Sequence, residues 1–238
     1  MKAPKEFLLI VFMSLLSVSG VSAATITGTV KFDGDAPKFD AIQMAADPIC
    51  LTHHTDAVYP ETLVLGEGKT MANVFVYVKG GLAKKDYPAP AEAAQIDQQG
   101  CQYHPHISGV MVGQTVKILN PDGTLHNVHA LSKVNEEFNL AMPKFRKEVE
   151  QVWTKEEFMF PIKCDVHSWM TGYIAIMSHP FFSTTKTDGT FTISNLEPGT
   201  YEIEAWHEKL GTKTESVTIG SADETKTVDF TFSRPAKQ

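Results

Sequence analysis

The chain has 238 residues, enough for one large or two small domains. Its 42% hydrophobic and 21% charged residues are typical of a globular protein. The formal net charge of −7 and the absence of any basic run argue against a nucleic-acid partner.

The first residues predict a secretory signal peptide, residues 1–23, and not a part of the fold. Lys2 and Lys5 precede an apolar run from Phe7 to Val21, and small residues follow up to Ala23. An uncleaved anchor helix is the alternative, but the run is short for a membrane span and contains polar residues. We therefore expect cleavage near Ala23 and a periplasmic or secreted protein with no membrane span.

After the signal peptide, two segments have the period of a β-strand. Residues 25–31 and 71–79 alternate apolar, often β-branched residues with small or polar ones. Between them, residues 38–70 show little periodicity and predict a long loop. Residues 84–94 are rich in proline and alanine, which marks the start of a new unit.

The rest of the chain also predicts strands. Eight short strand-like segments lie between residues 94 and 177, with no helical period, and this spacing is typical of an antiparallel β-sandwich. Five more follow after residue 180, so the predicted fold class is all-β. The predicted segments are 94–98, 102–112, 115–120, 126–131, 137–142, 147–154, 158–163, 171–177, 181–187, 190–194, 201–207, 213–219 and 227–232.

One short motif carries the clearest chemistry. In Cys164-Asp-Val-His167-Ser-Trp-Met170, a thiolate, an imidazole and a thioether are each three residues apart. These donors, with a second imidazole, form the ligand set of a blue-copper electron-transfer site. His126, which follows an Asn-Pro-Asp-Gly turn, supplies the second imidazole. His129 lies three residues further along the same predicted strand and points to the opposite face, so it is not a ligand of this copper.

Two further cysteines, Cys50 and Cys101, leave two interpretations open. An even pair in an oxidising compartment favours a disulfide. However, Cys50-x-x-His53 and Cys101-x-x-His104 share one spacing, and together they could form a Cys2His2 zinc site.

Other histidines suggest a further metal site. His104 and His106 share one face of a strand, and either His53 or His54 could complete a second site with them. The alternative is that these side chains are ordinary core or surface histidines.

Residues 94–178 resemble a cupredoxin, and are most similar to amicyanin. The resemblance lies in Val112 to Asn120, in His126-Asn-Val-His129, and in the Cys-x-x-His-x-aromatic-Met-x-Gly run that ends at Gly172. Leu125 stands where amicyanin and plastocyanins have proline. The resemblance implies one type 1 copper per chain.

The same resemblance implies roles around the ligands. Asn127 is expected to connect the two ligand loops. The outer edge of His167 is expected at the surface, in an apolar patch where redox partners dock briefly. The candidates for this patch are Trp169, Leu125, Met142 and Pro143.

A second resemblance concerns the two ends of the chain. Thr187 to Ile193 and Leu196 to Tyr201 resemble a carboxypeptidase-regulatory-like (prealbumin-like) sandwich, a family that opens with strands like Ile26–Val30 and Ala72–Val78. This implies one sandwich, residues 24–83 plus 180–235, with the cupredoxin domain, residues 94–179, inserted into it. Alternatively, residues 24–83 only pack against the cupredoxin.

These observations predict an exported blue copper protein that carries single electrons between redox protein partners docking near His167. A copper-binding or storage module without redox traffic and a cell-surface binding protein are the alternatives. An enzyme is not expected, because copper oxidases and nitrite reductases need a second copper centre fed by an adjacent His-Cys-His or Cys-His pair. Lys163-Cys164-Asp165 provides neither.

Overall fold

A computed structural model describes residues 23–234. Most of the predicted signal peptide, residues 1–22, lies outside the described residues, as do residues 235–238. The structure is 46% strand and 7% helix, which confirms the predicted all-β class. Within the described range, no helix has the length and apolar character needed to cross a membrane.

Sixteen strands are present among the described residues. They are β1 (Ala24–Asp33), β2 (Phe75–Gly80), β3 (Ala94–Asp97), β4 (Ile107–Met111), β5 (Thr115–Leu119), β6 (His126–Ala130), β7 (Phe138–Met142), β8 (Glu148–Val152), β9 (Glu157–Lys163), β10 (Thr171–Met177), β11 (Phe182–Thr184), β12 (Thr190–Leu196), β13 (Gly199–His207), β14 (Gly211–Ile219), β15 (Thr225–Thr227) and β16 (Phe230–Ser233).

The segment predicted as a long loop, residues 38–70, contains short helical turns. A short helix, α1, spans Pro48–Thr52, and 3-10 turns span Met44–Ala46 and Glu67–Lys69. A third 3-10 turn, Gln99–Cys101, follows β3. α1 begins where Asp47 accepts a hydrogen bond from the backbone N–H of Ile49 at 2.9 Å, with Pro48 as the first helical residue. A helix of five residues is too short to show a helical period of apolar residues in the sequence.

The two ends of the chain form two sheets together. β1 pairs with β12 in antiparallel fashion and with β15 and β16 in parallel, and β2 lies between β11 and β13 in the sheet β11-β2-β13-β14. Buried and partly exposed residues alternate along β1, as expected for a strand with one face on a core. One hydrophobic cluster contains side chains from residues 24–78 and from residues 181–232.

The strands between these ends form two other sheets, β4-β10-β9-β6-β7 and β3-β5-β8. A second hydrophobic cluster, with side chains from residues 96–176, fills the space between them. A third cluster joins the two parts of the chain, with Phe75 and Tyr77 packed against Ile107, Ala175 and Met177.

This topology positions the predicted ligands. β9 and β10 form an antiparallel pair in which Thr171 lies opposite Lys163, so residues 164–170 are the loop that connects them, here called the ligand loop. β6 pairs with β9, with His129 opposite Lys163, so His126 at the start of β6 lies beyond the end of β9 and next to the ligand loop.

Candidate metal centre

His126, Cys164 and His167 meet in the interior. One donor atom from each lies within 4.8 Å of the others, and all three residues are buried. The Nδ1 atoms of the two histidines are 3.0 Å apart, and Cys164 Sγ is 3.7 Å from His167 Nδ1. The topology therefore brings together three of the four predicted copper ligands, from two separate segments.

Met170, the fourth predicted ligand, closes the ligand loop. Its carbonyl accepts a hydrogen bond from the backbone N–H of Cys164 at 3.0 Å, and its own N–H donates to the carbonyl of His167 at 2.9 Å. Its side chain is buried in the same hydrophobic cluster as Cys164. The tight turn thus keeps the backbone of Met170 next to those of Cys164 and His167.

The two imidazoles favour the thiolate form of Cys164. Burial by itself raises the pKa of the thiol, but hydrogen bonds from His126 and His167 outweigh it and lower the pKa to about 6. Burial likewise lowers the pKa of both histidines, and the hydrogen bonds with Cys164 and with nearby carboxylates reverse the shift, so both pKa values lie above the usual value. A thiolate is the form that binds a metal ion.

Asp122 fixes the orientation of His126. Its Oδ2 lies 2.9 Å from His126 Nε2, and its two carboxylate oxygens also accept hydrogen bonds from the backbone N–H groups of Gly100 and Cys101. With Nε2 donating to Asp122, the Nδ1 atom is the one available to a metal ion. Burial raises the pKa of Asp122, but these hydrogen bonds outweigh it and lower the pKa overall.

Asp47 does the same for His167. Its Oδ2 lies 3.0 Å from His167 Nε2 and accepts a hydrogen bond from Thr124 Oγ1 at 2.7 Å. The bond from Thr124 is the main reason why the pKa of Asp47 is lowered. Asp47 is the residue that caps α1, so the short helix and His167 share one carboxylate.

The predicted exposure of His167 is wrong. The residue is only 2% exposed, because Asp47 and Cys50 cover its outer edge and the Trp169 ring lies 5.1 Å away. Of the predicted surface patch, Met142 is fully buried, Trp169 and Pro143 are partly buried, and Leu125 is 42% exposed. The segment that covers His167 comes from residues 44–58, which the resemblance to a cupredoxin did not include.

Cys50 and Cys101 form a disulfide, as predicted, and leave no free thiols for a Cys2His2 zinc site. The disulfide is buried with Met44, and partly buried Ile42, Val58 and Trp169 pack around it. Trp169 Nε1 donates a hydrogen bond to the carbonyl of Cys101 at 3.0 Å. The disulfide thus fastens α1 to the 3-10 turn beside the ligand loop.

The structure does not bring together the histidines proposed for a second metal site. His53 Nε2 lies 3.4 Å from Asp122 Oδ1, and His54 Nε2 lies 2.7 Å from the carbonyl of Gly100. His106 Nε2 lies 2.7 Å from Glu208 Oε1. The backbone of His104 pairs with Asp97. Among residues 23–234, no compact group of possible ligands includes any of these four histidines.

Asn127 contacts the ligand loop from β6. Its Oδ1 accepts a hydrogen bond from the backbone N–H of Asp165 at 2.7 Å and lies 3.3 Å from Cys164 Sγ. His129 faces away from the donor group, with Nδ1 3.0 Å from Asp165 Oδ2. The contacts of Asn127 are those expected of a residue that connects the two loops.

Sequence reasoning missed Asp47 and Asp122. Asp122 lies in a segment read only as a turn, although an acidic residue four positions before a candidate ligand is a possible partner for its ring. Asp47 stands before a proline, which is typical of a helix cap but says nothing about His167. That contact depends on the tertiary structure.

Comparisons with known families give a partial picture. A family model described as polysaccharide lyase family 4, domain II, matches residues 163–228, less than a third of the 238 residues. The family matched to the carboxy-terminal strands is therefore not the predicted prealbumin-like family. No curated protein matches the chain in a sequence search.

Solved copper proteins are similar to part of the structure. A copper-containing nitrite reductase from Thermus scotoductus SA-01 is 17% identical, with a TM-score of 0.34 over 41% of this chain. This chain spans only 25% of that enzyme. A purple cupredoxin from Nitrosopumilus maritimus is 23% identical, with a TM-score of 0.30, and covers 35% of this chain and 99% of its own. The Cu(I) form of an amicyanin variant is 23% identical, with a TM-score of 0.32 over 41% of this chain and 97% of its own.

Proposed function

We propose that this protein is an exported blue copper protein that carries one electron at a time. In this proposal one type 1 copper per chain is held by His126, Cys164, His167 and Met170. The observation that supports it best is the convergence of the buried Cys164 sulfur and the Nδ1 atoms of both histidines within 4.8 Å.

The donor set fits copper better than zinc. Structural zinc sites use four cysteine or histidine ligands, and catalytic zinc sites use three histidine, carboxylate or cysteine ligands with a water. Here one thiolate and two imidazoles meet, and the buried Met170 belongs to the same hydrophobic cluster as Cys164. Together these donors are the combination found in blue-copper sites. A copper ion held by these donors would supply the one-electron couple.

The chain's own residues prepare the site for rapid electron exchange. Asp122 and Asp47 each hold one imidazole through Nε2, so both rings present Nδ1 to the ion. Asn127 connects the strand that carries His126 to the loop that carries the other ligands. The donors border a cluster of buried hydrophobic side chains, a surrounding that limits the rearrangement of solvent when the charge changes.

The cover over His167 determines where partners dock in this proposal. The ring of His167 has no exposed edge, so an electron that leaves through it must pass Asp47 and α1 to reach the surface. Two side chains of α1, Ile49 and Leu51, are 40% and 51% exposed, and Leu125 is 42% exposed. We place the contact with redox protein partners on this apolar surface, where a small interface suits brief docking.

An optical spectrum of the copper-loaded mature chain tests the proposal. We expect a strong band at about 600 nm from the copper–thiolate bond, and its loss in Cys164→Ser. His126→Gln should also abolish the band, whereas the matched change His129→Gln should keep it. A chain that binds copper with no such band would support a storage module without redox traffic.

Copper stoichiometry separates the carrier from an enzyme. The disulfide form should hold one copper per chain, and reduction by one electron should bleach the whole band. A second copper in this form would point to a catalytic centre and contradict the proposal.

A further inference from the structure

A second group of soft donors lies on the outer side of His167. The sulfur atoms of Cys50 and Cys101 and one ring nitrogen of His167 lie within 4.8 Å of one another, and all three residues are buried. Cys50 Sγ is 3.6 Å from His167 Nε2. The other ring nitrogen of His167, Nδ1, is 3.0 Å from His126 Nδ1. The ring of His167 therefore stands between two donor groups, one at each nitrogen.

The disulfide keeps the outer group from binding a metal ion, because its sulfur atoms carry no thiolate. Reduction by a dithiol or a phosphine delivers two electrons, the sulfurs take up two protons, and the S–S bond breaks. The reductant becomes a disulfide or, with one water, a phosphine oxide. A thiophilic ion can then replace the two thiol protons.

We propose that reduced Cys50 and Cys101, together with His167 Nε2, form a second binding site for Cu(I). Two thiolates and an imidazole are donors that Cu(I) prefers. With bonds of roughly 2.0–2.3 Å, as in zinc–nitrogen and zinc–sulfur sites, one ion can reach three donors that lie within 4.8 Å of one another. A neutral imidazole has only one nitrogen without a proton, so the thiol state of this pair would decide whether His167 binds copper at Nε2 or at Nδ1.

The surroundings suit such an ion. Both cysteines are fully buried, and Met44, Ile42, Val58 and Trp169 pack around them, which shields a bound Cu(I) from water and oxygen. If His167 Nε2 binds the ion, Asp47 loses one hydrogen bond. It keeps those from Thr124 and from the backbone N–H of Ile49, so its carboxylate remains satisfied.

This inference shares only His167 with the proposed function, so the two can fail separately. The test uses the mature chain with Cys164→Ser, which removes the blue-copper thiolate. One sample keeps the disulfide, and the other is reduced with a phosphine and desalted without oxygen. Both are titrated with Cu(I) in competition with bicinchoninate, a coloured Cu(I) chelator.

We expect the reduced sample to bind one more equivalent of Cu(I) than the disulfide sample. The added equivalent should disappear when Cys50→Ser and Cys101→Ser are introduced as well. X-ray absorption should show two sulfur neighbours and one nitrogen neighbour per copper. Equal stoichiometry in the two samples would overturn the proposal.

His167→Ala, introduced into the reduced Cys164→Ser chain, tests the third donor. We expect the affinity for the added Cu(I) to fall at least tenfold. If reduction merely unfolded the chain and exposed two thiols, the copper would have a sulfur-only shell and the affinity would not change in His167→Ala, which would also contradict the site. Circular dichroism of the two samples shows directly whether the fold survives reduction.

Discussion

The ligand loop and the segment that covers it, residues 44–58, meet at one imidazole but differ in kind. The ligand loop carries three donors at regular spacing, and its backbone closes on itself between Cys164 and Met170. The cover has no such pattern, and Asp47 and Cys50 reach His167 from 120 and 117 residues away. The chemistry of this centre is thus set by a short local motif, and its accessibility by a distant segment.

The largest expected effect comes from removing the strands between residues 84 and 178, which leaves only the two sheets formed by the ends of the chain. Val78 N–H donates to the carbonyl of Phe181 at 3.0 Å, so the chain leaves and re-enters the flanking sheets at neighbouring points. Replacing residues 84–178 with a short Gly-Ser linker should abolish copper binding and leave a folded β-sandwich, as measured by circular dichroism and thermal unfolding. An unfolded product would contradict the discontinuous domain, residues 24–83 plus 180–235, and favour independent packing of residues 24–83.

The next effect concerns the disulfide. Cys50 and Cys101 are 51 residues apart, and closing a loop of that length should stabilise the chain by about 4 kcal/mol. The double change Cys50→Ala and Cys101→Ala should lower the free energy of unfolding by about that amount in urea titrations, while the copper band remains. Loss of the band would mean that the disulfide is needed to keep Asp47 on His167, and a change below about 1 kcal/mol would mean that other contacts hold the cover in place.

A change at Glu157 serves as a control for the disulfide variant, because it should alter stability away from the metal centre. Burial raises the pKa of this carboxyl, but hydrogen bonds from the backbone of Lys133 and Asn135 and from Ser132 outweigh it and lower the pKa to about 2. Because this pKa lies below the ordinary value of 4.5, the stabilisation is complete above pH 4.5 and is lost as the pH falls towards 2.

Glu157→Gln should therefore lower the free energy of unfolding at pH 7 by about 2–3 kcal/mol, and the difference from the natural chain should shrink below pH 4.5. The copper band should not move, since Glu157 contacts neither the ligand loop nor the cover. A shifted copper band would show that a change at the first residue of β9 alters the geometry of the ligands.

The smallest expected effect is on the two imidazoles themselves. Asp47 raises the pKa of His167, and Asp122 raises the pKa of His126. In the metal-free chain, Asp47→Asn should lower the pKa of His167 and Asp122→Asn that of His126. Because the two rings repel each other when charged, the pKa of the other ring should rise slightly in each variant. NMR titration of the ring protons measures both, and a fall of both pKa values in either variant would mean that the carboxylates do not act separately.

Sequence reasoning predicted the strands better than the contacts between distant segments. β6 and β10 follow the predicted segments within one residue at each end, because alternation with two-residue period is a local signal. The predicted segment 102–112 yields only β4 from Ile107, and the segment 227–232 divides into β15 and β16. Two predictions were wrong, the prealbumin-like family of the carboxy-terminal strands and the exposure of His167. Both rested on a resemblance to other proteins.

The sequence by itself determined the all-β class, the order of the strands along the chain and three residues whose donor atoms the fold brings together, His126, Cys164 and His167. Periodicity and the Cys-x-x-His spacing are properties of short stretches of chain. Only the tertiary structure decided that Asp47 and Asp122 hold the two imidazoles, and that a disulfide lies against the outer edge of His167. Those contacts join segments far apart in the chain, and no local pattern records which distant segments will meet when the hydrophobic clusters form.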